Sequence, residues 1–188
     1  MGVIITGGLY RGRKLETDTR AQVIRPTSGK VREALFSSLG EKVAGSLFVD
    51  LYAGSGAVGL EALSRGASRV LLVENHAQSW LLLQANCKSV LGPAFRPSEE
   101  GAAQLVRSDA LAFCHRMREE GRVFAFVFAD PPFEDDFSTL WDGVSGLLEP
   151  GGTGIIQFPS RNPPAWLAKA DKLKKYGESG LAFFTKYI

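Results

Sequence analysis

From residue 46 onward, apolar runs of strand length alternate with segments of helical length. Strands are expected at 47–51, 70–74, 105–106, 124–128 and 154–158, and helices at 57–65, 77–91, 110–119 and 137–148. Strands separated by helices pair in parallel, because each crossover returns the chain to the starting end of the sheet. Helices then cover both faces, and a strand buried on both sides reads as an unbroken apolar run, as Phe124-Ala125-Phe126-Val127-Phe128 does. The pattern predicts an α/β fold with a doubly wound, mostly parallel sheet. Two last stretches, 172–176 and 181–186, are separated by Gly177 and Gly180 and suggest a terminal antiparallel hairpin at one sheet edge. In such sheets ligands gather beyond the carboxyl ends of the strands, where strand order reverses. The polar residues at those ends carry the functional reading.

Gly54-Ser55-Gly56-Ala57-Val58-Gly59 follows the first strand of this body and opens a helix. Glycine lets the backbone turn sharply there, and Gly59 allows close helix–strand packing. Glu74 ends the next strand, twenty positions after Gly54, where a carboxylate can accept hydrogen bonds from two ribose hydroxyls. These features alone fit an NAD(P)-binding oxidoreductase. Asp50 shifts the balance, because an acid four residues before the first glycine opposes a pyrophosphate but suits a cationic amine. S-adenosylmethionine has ribose, adenine, an ammonium and a sulfonium, and no phosphate. It is the better match, with Asp50, Tyr52, Ala53, Gly54, Ser55, Gly56 and Gly59 as cofactor-binding candidates beside Glu74. Asp109, after the third strand, is placed to meet the adenine amino group, to cap the following helix, or to do both.

The fourth strand runs into Asp130-Pro131-Pro132-Phe133. Consecutive prolines cannot continue a central strand, so they stiffen the exit and fix the direction of Asp130. An exocyclic amine on a base is a poor nucleophile, since its lone pair is delocalised into the ring. Asp130 and the Pro131 carbonyl can accept its two N–H bonds and leave the lone pair aimed at a methyl group, while Phe133 stacks on the base. Asp130, Pro131 and Phe133 are therefore the catalytic candidates.

Residues 1–32 hold seven basic groups against two acidic ones, a net +5, while the remainder carries −3. This asymmetry suggests that the N-terminal extension, 1–45, contacts a polyanion, and that the catalytic domain spans 46–188. Arg11, Arg13, Lys14, Arg25, Lys30 and Arg32 are the candidates for phosphate contact. Within the extension a small hairpin or meander ending at Leu15 is expected, then a helix over about 29–39, capped by Thr27 or Ser28, whose stripe Val31, Leu35 and Leu39 should pack on the body. That stripe is expected to hold the basic charges beside the mouth of the pocket.

Taken together, these motifs resemble the RsmD family, bacterial methyltransferases that modify one guanine N2 of 16S ribosomal RNA. The resemblance rests on Arg25-Pro26-Thr27, on Val31-Arg32-Glu33-Ala34-Leu35-Phe36, on the run from Asp50 through Gly59 to Ala67, and on Asp130-Pro131-Pro132-Phe133. It implies a seven-stranded Rossmann-like methyltransferase sheet with an antiparallel last strand, S-adenosyl-L-methionine as cofactor, and RNA in an assembled small-subunit precursor as substrate. Adenine-N6 and protein-glutamine methyltransferases share the Asp-Pro-Pro-Phe type of corner and are the alternatives.

Other classes fit poorly. Two histidines and two cysteines without CxxC spacing point to no metal site, and Cys87 and Cys114 read as packing residues, as do Trp80, Trp141 and Trp166. The longest apolar run, 123–129, is far too short to span a bilayer, and no signal-peptide pattern is present. A cytoplasmic, monomeric enzyme is expected.

Overall fold

Two short strands, β1 (Val3–Ile4) and β2 (Lys14–Leu15), pair antiparallel to form the hairpin of the extension. The computed structural model describes residues 2–17, 28–97, 101–132, 137–161 and 163–187. Helix α1 (Gly29–Leu39) starts at Ser28, whose Oγ accepts from the Val31 N–H at 3.3 Å. The stripe of Val31, Leu35 and Leu39 is buried, joined by Phe36.

The body then alternates as β3 (Leu47–Asp50), α2 (Ala57–Ser64), β4 (Arg69–Glu74), α3 (Ala77–Leu91), β5 (Ala103–Arg107), α4 (Ala110–Glu119), β6 (Phe124–Ala129), α5 (Phe137–Gly146) and β7 (Leu148–Pro159). A terminal hairpin of β8 (Lys172–Tyr176) and β9 (Ser179–Thr185) completes it. The seven strands lie in the order β5-β4-β3-β6-β7-β9-β8, with β9 antiparallel to both its neighbours and β3 through β7 parallel. The chain moves outward from β3 through β4 to β5, then returns to the other side of β3 with β6. That reversal places the binding crevice beyond Asp50 and Ala129.

Alternation along the strands splits the core in two. Phe48, Leu72, Phe126, Ile155 and Phe183 pack beneath α1, α2 and α3. Val49, Val73, Val127, Ile156 and Phe184 pack beneath α4 and α5. Trp141 and Trp166 pack on Phe184, with centroids 4.3 and 5.4 Å away. The extension contributes Ile5, Leu15, Val31, Leu35 and Leu39 to the first of these cores, so it shares its interior with the body.

The largest departure from the expected boundaries lies at β7. Helix α5 stops at Gly146, and β7 begins at Leu148 instead of 154. Phe124 pairs with Leu148 and Phe126 with Thr153, so Glu149-Pro150-Gly151-Gly152 bulges out of the ladder. A proline and two glycines conceal the early start of the strand, because they read as a turn.

Candidate active site

Strand pairing sets the depth of each functional side chain. The Leu51 N–H donates to Phe128 O at 2.9 Å and the Ala53 N–H to Val73 O at 2.9 Å, carrying the sheet one step past the end of β3 on both sides. The chain then turns through Gly54 and Gly56, both at positive φ (52° and 80°), into α2. A Cβ on Gly54 would meet nothing within 4 Å, whereas one on Gly56 would lie 2.6 Å from Leu83 and one on Gly59 2.6 Å from Leu72. The outer side of the turn is thus open for close approach, and the inner side is packed tight. Tyr52 and Ser55 are half-buried, and Ala53 is buried.

Two acids grip this turn. Glu74, half-buried at the end of β4, accepts from the Gly54 N–H at 2.8 Å through Oε2 and from the His76 N–H at 2.7 Å through Oε1. A carboxylate has about four acceptor sites, so these bonds leave capacity for a ligand. Asp50 is buried, and its Oδ2 accepts from the Gly59 N–H at 3.0 Å. Its other oxygen, Oδ1, is buried without a hydrogen-bond partner. Burial pushes the Asp50 carboxyl up to about 7, and the Asp130 and Glu74 carboxylates push the same way against the pull of the Gly59 amide. Two acids at the ends of the flanking strands, Glu74 on β4 and Asp130 just past β6, therefore act on Asp50 across the crevice.

The position of Asp50 has a further effect. Its carboxylate occupies the amino end of α2, where a dinucleotide-binding fold would seat its pyrophosphate. A second anion there would meet a first one already in place. The site favours a cation.

Asp109 caps α4, accepting from the Ala112 N–H at 3.0 Å, and is exposed at the end of β5. Asp130 is half-buried and Pro131 buried at the end of β6. Phe133 lies outside the described residues, as does Arg25. Two cavities of about 200 Å³ occur elsewhere, and neither includes the glycine turn or the Asp-Pro-Pro corner. Among the described residues no three His, Cys, Asp or Glu side chains cluster as a metal site, and no helix is long and apolar enough to cross a membrane.

Arg11, Arg13, Lys14 and Lys30 are exposed. Arg32 is not: only 1% of it is accessible, and it is removed from the phosphate-contact set. Its Nε donates to Glu61 Oε2 at 2.9 Å and a terminal nitrogen to Ile4 O at 2.5 Å. Glu61, wholly buried on α2, also takes Arg65 at 2.8 Å and the Thr6 hydroxyl. The hairpin fastens to the same helix lower down, the Tyr10 N–H donating to Ser64 Oγ at 2.8 Å and Ser64 Oγ to Gly7 O at 2.6 Å. Arg13 reaches Ser89 O, at 3.3 Å, near the end of α3. Arg13 thus sits against the last turns of α3, and the hairpin is fastened to the C-terminal end of α2.

Two contributors escaped the sequence reading. Glu61 is one. The other is Asn86 on α3, whose Nδ2 donates to Glu16 O and to Ser55 O, each at 2.9 Å, while its Oδ1 accepts from the Glu16 N–H at 2.8 Å. One amide therefore joins the extension to the glycine turn. A single asparagine in a helix carries no signal of such a role.

The family model described as "Conserved hypothetical protein 95" matches residues 3–185. The ribosomal RNA small subunit methyltransferase D of Escherichia coli K12 is 37% identical over 149 residues, covering 79% of this chain and 67% of that protein. Its Haemophilus influenzae namesake is 35% identical over 147 residues, covering 78% and 71%. Among solved structures, a hypothetical protein of Thermus thermophilus superposes with a TM-score of 0.80 at 30% identity, covering 97% of this chain and 98% of that one. The T. thermophilus 16S rRNA N2 methyltransferase RsmC, in complex with AdoMet and guanosine, gives 0.71 at 25% identity, covering 99% of this chain and 50% of that one. The parallel sheet with its antiparallel β9, the glycine turn and the strand-end acids define a Rossmann-like methyltransferase. Within that class, this chain belongs to the RsmD family of ribosomal RNA small subunit methyltransferases.

Proposed function

We propose that this chain transfers a methyl group from S-adenosylmethionine to the exocyclic N2 amine of a guanine in 16S ribosomal RNA. The observation that carries the reading is the buried Asp50 oxygen without a partner, set beside an open glycine turn. That pair suits a ligand with a cationic amine and a compact linker. Asp50 and the turn from Tyr52 to Gly59 would hold its methionine half, Glu74 its ribose hydroxyls, and Asp109 its adenine amine. Bound there, S-adenosylmethionine supplies an electrophilic methyl on a sulfonium. The remaining work falls to the Asp-Pro-Pro-Phe corner. Asp130 and the Pro131 carbonyl accept the two N–H bonds of the amine and orient its lone pair, and Phe133 offers a stacking face. Methylation acidifies the nitrogen, so its proton leaves afterwards without a strong base. A base paired in a helix cannot reach this edge, so the target is flipped out or already unpaired. The guanosine bound to the similar RsmC structure supports guanine over adenine.

Methyl transfer from labelled S-adenosylmethionine to naked 16S RNA, small-subunit precursor particles and DNA, followed by nucleoside identification, tests the reading. N2-methylguanosine is the expected product. N6-methyladenosine, or label on protein, overturns it.

A cation against Asp50 favours its ionised form, so binding below the Asp50 pKa of about 7 expels a proton. Affinity for S-adenosylmethionine is therefore expected to rise about tenfold per unit as pH climbs toward 7. Calorimetry across this range should show the rise in the unsubstituted protein and its loss in Asp50→Asn.

The exposed cations Arg11, Arg13 and Lys14 are proposed to contact RNA phosphates, with Lys30 and Arg25. Neutralising the first three together should lower the slope of log affinity against log salt by about 2, roughly 0.7 for each contact. Cofactor affinity should not change. An unchanged slope in a folded variant would return these residues to an ordinary solvated surface.

A further inference from the structure

Strand β7 passes the corner, and buried polar atoms without hydrogen-bond partners occur near its end, Gln157 Oε1 within it and Ser160 Oγ just after it. Native proteins satisfy nearly all buried polar groups, so unsatisfied atoms gathered at one edge call for a specific explanation. With Asp50 Oδ1, these lie at the carboxyl ends of β3 and β7, the two strands that flank β6. Gln157 is 7% exposed, so its polar end is held within the protein and not dispersed in solvent.

Register places Gln157 relative to the corner. Ala129 of β6 pairs with Ile156 of β7 in parallel, so Asp130 and Gln157 follow at one level on strands about 4.8 Å apart. The face is also fixed. Ile156 packs toward α4 and α5, so Gln157 turns to the opposite face, as does its cross-strand partner Leu181. Asp50 lies on that same face, since it accepts from α2. Ala129 packs with Ile156, and the alternation brings Asp130 round to the side of Gln157 and Asp50. Asp130 and Gln157 are therefore neighbours on one face of the sheet, at its carboxyl edge.

We infer that Gln157 is a specificity-determining residue that reads the ring edge of the target base. The inference rests on the reading of the corner as the holder of a guanine N2 amine. Beside N2, guanine offers the N1–H donor and then the O6 acceptor. A carboxamide offers an acceptor and a donor side by side, so Gln157 Oε1 takes the N1–H and its NH₂ donates to O6. Asp130 and Gln157 together then match the whole donor–donor–acceptor edge. A purine with the same C2 amine but without N1–H and O6 forfeits this pair of bonds, although it remains chemically able to accept a methyl group.

2-Aminopurine is that purine. The test places guanine or 2-aminopurine at the RNA position that the unsubstituted protein methylates, and compares kcat/KM for the two. The unsubstituted protein should favour guanine by about 10- to 100-fold, the range for one bidentate amide–base contact. Gln157→Met, of similar shape without the amide, should bring the ratio within about threefold of one and leave S-adenosylmethionine affinity unchanged. Gln157→Glu keeps the acceptor and loses the donor, so its ratio should fall between them, and it carries the test if the methionine variant does not fold. A ratio near one in the unsubstituted protein, or one unaltered in a folded variant, overturns the role of Gln157 and leaves the guanine-N2 reading standing. Methyl transfer without any N2-methylguanosine overturns that reading, and this inference with it.

Discussion

Asp130→Ala is expected to lower kcat by about 10²- to 10³-fold, the scale seen when one preorganised hydrogen-bonding group is removed from a reacting centre. Affinity for S-adenosylmethionine measured at pH 8 should stay within about twofold, because Asp130 follows β6, whereas the proposed cofactor contacts stand at the ends of β3, β4 and β5 and in the glycine turn. Asp130→Asn should lose less than alanine does, since it keeps one carbonyl acceptor for the amine. Single-turnover kinetics on 16S RNA, with calorimetry of the cofactor, separates the two effects. Alanine turning over at the unsubstituted rate would remove Asp130 from the chemistry.

The second large effect concerns stability. Glu61 is wholly buried and is the counter-ion of Arg32, itself 1% exposed. Burial alone would raise the Glu61 pKa, but hydrogen bonds from Thr6, Arg32 and Arg65 outweigh it and hold the carboxyl below its usual range. Glu61→Ala leaves the Arg32 guanidinium uncompensated in the interior, which costs about 3–5 kcal/mol. That is a large share of the roughly 5–15 kcal/mol of a typical domain, so the urea midpoint should fall steeply. The pH dependence has a definite sign. A carboxyl with a lowered folded pKa contributes stability above its unfolded value of 4.5, and the contribution fades as pH falls through the folded one. The unsubstituted protein should therefore lose stability on acidification more steeply than Glu61→Ala, in which this titration is absent. Arg32→Ala should also destabilise, whereas a surface phosphate contact would alter only the salt slope.

These two residues mark what the sequence could and could not disclose. The parallel strands were legible because burial on both faces forces long apolar runs, and the reversal between β3 and β6 follows from their order. The glycine turn was legible because positive φ at Gly54 and Gly56 nearly requires glycine. Arg32 was misread because its partner lies 29 positions away on another helix. Two opposite charges that far apart look the same whether they meet in the interior or stand in water. Counting charge along the chain therefore over-assigned the extension as a surface. Asn86 and Gln157 were invisible for a related reason. A lone amide reveals its importance only when its neighbours are in place.

The contact between α1 and β9 sets the timetable of the molecule's assembly. Leu35 and Phe36 of the first helix share a core with Leu181 and Phe183 of the last strand, and Lys174 Nζ donates to Ser38 Oγ at 2.7 Å across 136 positions. Arg32 cannot be neutralised until Glu61 has been made, and the apolar side of α1 cannot be fully covered until β9 has been made. During synthesis, the extension therefore waits for chain made long after it, and part of its apolar face stays uncovered until the last strand is available.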